Sequence, residues 1–166
     1  MKEISVQELS FNPMTLIGNG WMLITAGTEN RGYNTMTASW GHLGHLWNKH
    51  TSVCYVRPQR YTKEFVDREA LYTLCFFPSY KKELSYLGSK SGRDEDKVAA
   101  VGLTPVFGEG YTYFAEANLV LVCRKLYRAP LTEDGFVDRD VLEKNYPQRD
   151  LHDLYVGEIV KVLVSE

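Results

Sequence analysis

The sequence predicts a mainly β fold, a barrel of short strands with small helical insertions. Short runs rich in Val, Ile, Leu, Tyr and Thr recur along the chain, each stopped by a break containing Gly, Pro or Asn. The segments with helical spacing are few, short and set between those runs. Strands and helices do not alternate regularly, which argues against a doubly wound sheet, and neither a G-x-G-x-x-G nor a Walker loop is present.

A chain of 166 residues fits one domain, taken as residues 1–166, with room for a real core. A net charge of −2 argues against a nucleic-acid partner, which would call for a basic patch. No apolar run is long enough to span a bilayer. The start, Met1-Lys2-Glu3-Ile4-Ser5, lacks a signal-peptide core. The expectation is a cytoplasmic protein with no membrane association. Cys54, Cys75 and Cys123 are dispersed among apolar residues and read as small buried hydrophobes. The many aromatic residues suit a β-rich fold, an aromatic ligand or a subunit interface, and composition leaves all three open.

The elements follow in order. Thr15 to Thr28 reads as a strand pair, Leu16-Ile17 and then Trp21 to Ala26, broken at Gly18-Asn19-Gly20. Met36 to Ser39 is the next strand. Thr51 to Val56 is another, stopped by Pro58. Thr62 is placed to cap a helix over Lys63 to Glu69 that buries Phe65 and Val66. Leu71 to Phe77 is a strongly apolar strand. Tyr80 to Leu87 has helical spacing and ends at Gly88. Asp94 to Val101 reads as a second short helix with acidic residues in its first turn. Thr112 to Tyr127 is long and β-rich, Thr132 to Gly135 a turn, and Asp138 to Lys144 a helical turn. Tyr155 to Val164 is a last strand, apolar on both faces, as for a strand buried on both sides or facing a second subunit.

Four stretches carry residues suited to an anionic, aromatic ligand. Asn34-Thr35-Met36-Thr37-Ala38-Ser39-Trp40-Gly41 reads either as a strand running into a turn or as hydroxyls and backbone N–H groups beside a flat indole. Arg57-Pro58-Gln59-Arg60-Tyr61-Thr62 sets two arginines at a strand end, where Arg60 is either a solvated turn residue or a fork for phosphate oxygens. Ser89-Lys90-Ser91-Gly92-Arg93-Asp94-Glu95-Asp96-Lys97 is either a polar helix start or an anion loop. His152, just before the last strand, is either structural or a donor to a ligand. His42 and His45 lie three apart with no third ligand nearby, so no metal site is expected. No serine sits in a nucleophile elbow, so chemistry must come from a cofactor.

Taken in order, Asn34 to Gly41, Arg57 to Thr62, Ser91 to Lys97 and Leu154-Tyr155-Val156-Gly157-Glu158 resemble the flavin reductase-like family of FMN-binding split-barrel proteins, over about Gly18 to Val164. The resemblance implies a six-stranded Greek-key split barrel, a homodimer and FMN near the subunit interface. It implies that Asn34, Thr35, Met36, Thr37, Ala38, Ser39 and Trp40 wrap the isoalloxazine edge and reach the phosphate end through their hydroxyls and backbone. It assigns phosphate and ribityl contacts to Arg57, Arg60 and Thr62, with Tyr61 in support. Ser91, Gly92, Arg93 and Lys97 match a third motif, in which Lys97 brings a cation near the flavin or its phosphate. His152 matches a histidine on the nicotinamide side and is the one candidate for a role in catalysis. The run Asp150-Leu151-His152-Asp153 lacks the glycine expected close before that histidine.

The implied activity is hydride transfer from NADH or NADPH to flavin, and onward to free flavin, a partner oxygenase or a small acceptor. The alternative is an FMN electron carrier of the flavoredoxin kind, reduced by a redox partner protein. A barrel without cofactor that scaffolds a complex is a third reading. Hydride transfer needs stacking at contact distance rather than an acid or base, so the lack of a catalytic triad is no objection.

Overall fold

The computed structural model describes residues 1–166. Its strands are β1 (Lys2–Ile4), β2 (Met22–Thr28), β3 (Gly32–Ala38), β4 (Gly41–Leu46), β5 (Lys49–Val56), β6 (Leu71–Phe76), β7 (Pro105–Gly108), β8 (Tyr111–Phe114), β9 (Leu119–Pro130) and β10 (Asp153–Val164). The helices are α1 (Thr62–Arg68), α2 (Lys81–Ser89), α3 (Lys97–Ala100) and α4 (Arg139–Asn145).

One antiparallel sheet runs β3-β2-β6-β9-β10-β5-β4, with β1 added to β10, while β7 and β8 form a separate hairpin. β3 and β4 stand at opposite ends of this order, yet only Ser39 and Trp40 separate them in the chain. A link that short reaches about 10 Å, so the sheet rolls until its two edges meet. The first six strands of the order are the six-stranded barrel, and β4 folds back from its last edge. From β5 the chain crosses through α1 to β6, which enters between β2 and β9; this is the Greek-key crossing. β10 carries two register shifts against β9, after Val156 and after Ile159, which bend it around the barrel. At Gly157 a Cβ would lie 2.3 Å from the Tyr72 hydroxyl, so glycine is what admits that ring to the interior, where its hydroxyl meets Ser52 Oγ at 2.9 Å.

Two apolar layers hold the fold. Ile24, Tyr72, Leu74, Leu121 and Tyr155 belong to one cluster. Leu23, Leu84, Leu87, Phe114 and Val122 belong to the other, which seats α2 and the β7–β8 hairpin. The three cysteines are fully buried, and burial pushes their thiols well above the ordinary value. In β10 the two-sided apolar pattern is interrupted at Val160, which is exposed.

Several expectations change. Leu16-Ile17 is no strand: Thr15–Gly20 coils as a wide helical turn, because two apolar residues before a Gly-Asn-Gly break fix no strand register, and Ile17 is buried from that turn. Thr62 does not cap α1. The turn at Arg60 and Tyr61 is already helical, with Lys63 N donating to Arg60 O at 3.0 Å, so Thr62 is the first helical residue. α3 begins at Lys97 rather than Asp94, capped by Asp96, whose carboxylate accepts from Ala99 N at 3.0 Å. Thr112 to Tyr127 is two strands, divided by a turn in which Ala117 N donates to Phe114 O.

A charged cradle joined to an aromatic chamber

The corner between β3 and β4 organises the site. Residues alternate along β3, and Asn34 and Met36 face a cavity of about 410 Å³ while Thr35 does not. Thr35 is fully buried, and its hydroxyl lies 2.7 Å from Thr25 Oγ1. Thr37 donates to Leu84 O at 2.5 Å, pinning α2 against the strand. Two of the three hydroxyls expected at a ligand therefore hold the fold. Asn34 Nδ2 donates to Thr62 Oγ1 at 2.8 Å, which joins the first two motifs.

That cavity is a cradle of cations. Arg57, Arg60, Lys90 and Lys97 line it, together with Thr62 and Ser91, and no carboxylate does. Two of them, Arg60 and Lys97, are positioned by the carbonyls at the end of α2. Arg60 Nη1 donates to Gly88 O at 2.7 Å, and Lys97 Nζ to Leu87 O at 2.9 Å and Lys90 O at 3.0 Å. A helix C-terminus is the negative end of its dipole, so α2 holds both cations without neutralising them. Lys97 is only 3% exposed. Burial, and then the Arg60 charge, bring its ammonium down to about 8, and the same two kinds of cause, burial and Arg57, lower Arg60. Arg57 is paired outside the cradle with Asp150, which also accepts from Gln59 Nε2 at 2.7 Å. At Gly92 a Cβ would sit 2.1 Å from Asn34 Oδ1, so the third motif closes on the first only through a glycine. Arg93 does not reach into the cradle: it lies over the Tyr61 ring at 4.5 Å and pairs with Glu64.

Next to the cradle a smaller cavity of about 160 Å³, the passage, shares Met36, Arg57 and Arg60 with it and is walled further by Ala38, Ser39, Trp40, Tyr55 and His152. Beyond it opens a chamber of about 820 Å³ between Trp40, Tyr55, Leu43, Phe136, Val141 and Tyr146. His152 is buried, its ring 5.2 Å from that of Trp40 and its Nδ1 2.8 Å from the Tyr146 hydroxyl. Burial, and then Arg57, hold its imidazole down to about 4. It is therefore neutral at neutral pH and is an orienting or hydrogen-bonding group rather than an imidazolium acid.

The structure thus brings Asn34, Met36, Arg57, Arg60, Tyr61, Thr62, Ser91, Gly92 and Lys97 into the cradle, and Thr37, Ala38, Ser39, Trp40 and His152 into the passage. Tyr55, Phe136, Val141 and Tyr146 stand outside the four motifs. Tyr55 is concealed in an apolar strand, and the others come from the 130–146 segment, where the only sequence signal is apolar residues in a stretch otherwise read as turns.

A family model described as flavin reductase like domain matches residues 14–166. No curated protein sequence matches the chain. Among solved structures, flavoredoxin of Desulfovibrio vulgaris (Miyazaki F) aligns at 23% identity and a TM-score of 0.67, over 88% of this chain and 69% of that one. Nitrilotriacetate monooxygenase component B from Bacillus cereus aligns at 19% identity and 0.68, over 100% and 82%. An NADH:FAD oxidoreductase of Streptomyces globisporus C-1027 aligns at 14% identity and 0.66, over 88% and 75%. At these identities the structures establish a shared fold.

Proposed function

The chain belongs to the flavin reductase-like family, and from that premise we propose that it binds FMN along the groove and passes a hydride from NADH or NADPH to flavin. The observation that carries this reading is adjacency: a carboxylate-free cradle of cations shares Met36, Arg57 and Arg60 with a smaller cavity walled by Trp40, Tyr55 and His152. FMN has the same order of parts, a phosphate, a polar chain and a flat ring. Solved relatives described as FMN-binding, from Shewanella baltica and Thermus thermophilus, support FMN as the flavin.

The residues fit their parts. Arg60 and Lys97, fixed by α2, offer donors to phosphate oxygens at a site where burial strengthens the attraction. Thr62 and Ser91 offer hydroxyls beside them. Ser39 and Trp40 border the ring end, beside neutral His152. Bound flavin supplies the two-electron chemistry, and the chain binds, orients and excludes water.

A second reading, a flavoredoxin-type electron carrier reduced by a protein partner, is favoured by one feature: no Lys or Arg lines the chamber to hold the phosphates of a dinucleotide. A homodimer belongs to the proposal. It is supported by exposed Trp47 and Tyr127, whose rings meet edge to face at 6.2 Å. A cytoplasmic location belongs to it as well; no helix is long and apolar enough to cross a membrane.

Anaerobic addition of NADH, then NADPH, to the FMN-loaded protein tests the reading. Rapid bleaching of the flavin absorbance with either donor is expected. Bleaching with dithionite alone makes the protein an electron carrier, and failure to take up FMN removes both readings.

A further inference from the structure

The chamber differs from the cradle and the passage beside it. None of its lining residues is Asp, Glu, Lys or Arg, in a chain where 24% of residues are charged. Its walls are aromatic and aliphatic, with Trp40, Tyr55, Phe136 and Tyr146 offering flat surfaces and Val141 and Leu43 filling between them. The polar side chains there are the Ser39, Tyr55, Thr132 and Tyr146 hydroxyls, the His42 imidazole and the Asn145 amide. The Asn145 amide already donates to Val141 O at 2.8 Å. The Tyr55 hydroxyl lies 3.4 Å from His42 Nδ1, too far for a strong bond, so it and Ser39 are left to donate to an acceptor oxygen.

Such a surface discriminates by charge. An anion entering it gives up water and meets no cation among the lining residues, Arg57 lying behind the Tyr146 ring at 5.3 Å and already paired with Asp150, whereas a flat neutral ring loses little. Aromatic walls favour flat rings, and hydroxyl donors favour carbonyl oxygens. The passage keeps the occupant next to the flavin groove.

We propose that the chamber is the binding site for an uncharged, planar ring compound with carbonyl acceptors, of the quinone class, which serves as the electron acceptor of this protein. The proposal rests on the flavin reading of the groove and names its acceptor.

Equilibrium binding decides it, read by quenching of tryptophan fluorescence, with naphthoquinone and its sulfonated counterpart as probes. The FMN-loaded protein is expected to bind naphthoquinone about tenfold or more tightly than the sulfonate. Val141, on α4 and partly exposed, lines the chamber. Val141→Lys is expected to narrow that ratio by raising sulfonate affinity, with FMN content unchanged. Equal affinities for the two probes overturn the proposal. So does loss of naphthoquinone binding on FMN loading, which makes the chamber the seat of the flavin ring itself. A chain that takes up no FMN yet still prefers the neutral quinone overturns the flavin reading while leaving the charge selectivity of the chamber standing.

Discussion

The cradle and the chamber meet at the same corner of the barrel and solve opposite problems. The cradle gathers four cations with no carboxylate among its lining residues, and it tolerates them because the α2 carbonyls accept from Arg60 and Lys97. The chamber is larger and excludes charge. The cradle is fixed by hydrogen bonds between distant segments, so its geometry is stiff and specific. The chamber is fixed by apolar packing, so it selects by shape and charge. The cradle suits the anionic end of a ligand, and the chamber suits a separate partner that is flat and neutral.

The cradle breaks most easily at Arg60. Arg60→Ala removes a guanidinium and leaves Gly88 O without its partner. FMN affinity is expected to fall by about 1.5–3 kcal/mol, or roughly tenfold to a hundredfold, measured by titration of the apoprotein. Gly92→Ala attacks the same cradle sterically, since the new methyl lands on Asn34. Overpacking of this kind costs about 1–3 kcal/mol, expected here as a lowered melting temperature together with weaker FMN binding.

Lys97 sharpens the comparison through pH. Its ammonium titrates near 8 in the free chain, so FMN affinity is expected to decline as pH rises through that value. A flat profile over the same range is expected for Lys97→Met. For the free chain the sign on stability is reversed. The folded state holds the Lys97 proton less tightly than the unfolded state, so this residue destabilises most below about 8, and the penalty fades as pH rises towards the ordinary lysine value. His152 acts with the same slope in a lower pH window. Its imidazole is folded away neutral, so stability is present above its ordinary value of 6.5 and is lost as pH falls towards about 4. Replacement by Gln is expected to remove about 1 kcal/mol of that acid sensitivity in denaturation at two pH values.

The smallest effect distinguishes scaffold from site within one motif. Thr35→Val is expected to leave FMN affinity unchanged and to cost about 1 kcal/mol of stability, because its hydroxyl is bonded to Thr25 in the buried layer.

The residues of the cradle are legible in the sequence because their chemistry is unusual where they stand. Arg57, Arg60 and Thr62 follow a proline-stopped strand, and Ser91, Gly92 and Lys97 form a polar run. Which hydroxyl of the first motif turns outward is legible only in the register of β3, which pairs Thr35 with Thr25. The chamber is far less legible. Ile17 reads as part of a short strand, Val141 as part of a helical turn, and Phe136 and Tyr146 fall in the stretches beside it, and only the folding of residues 13–18 and 130–146 against Trp40 makes a cavity of them. A short polar motif announces itself locally, whereas an apolar wall built from separate segments does not.

The most direct test of the two-ended groove is the affinity of the apoprotein for FMN compared with riboflavin, which has the same ring and no phosphate. FMN is expected to bind at least about tenfold more tightly, and Arg60→Ala is expected to erase most of the difference while leaving riboflavin binding as it was. Equal affinities for FMN and riboflavin in the unaltered chain would contradict the assignment of the cradle to a phosphate.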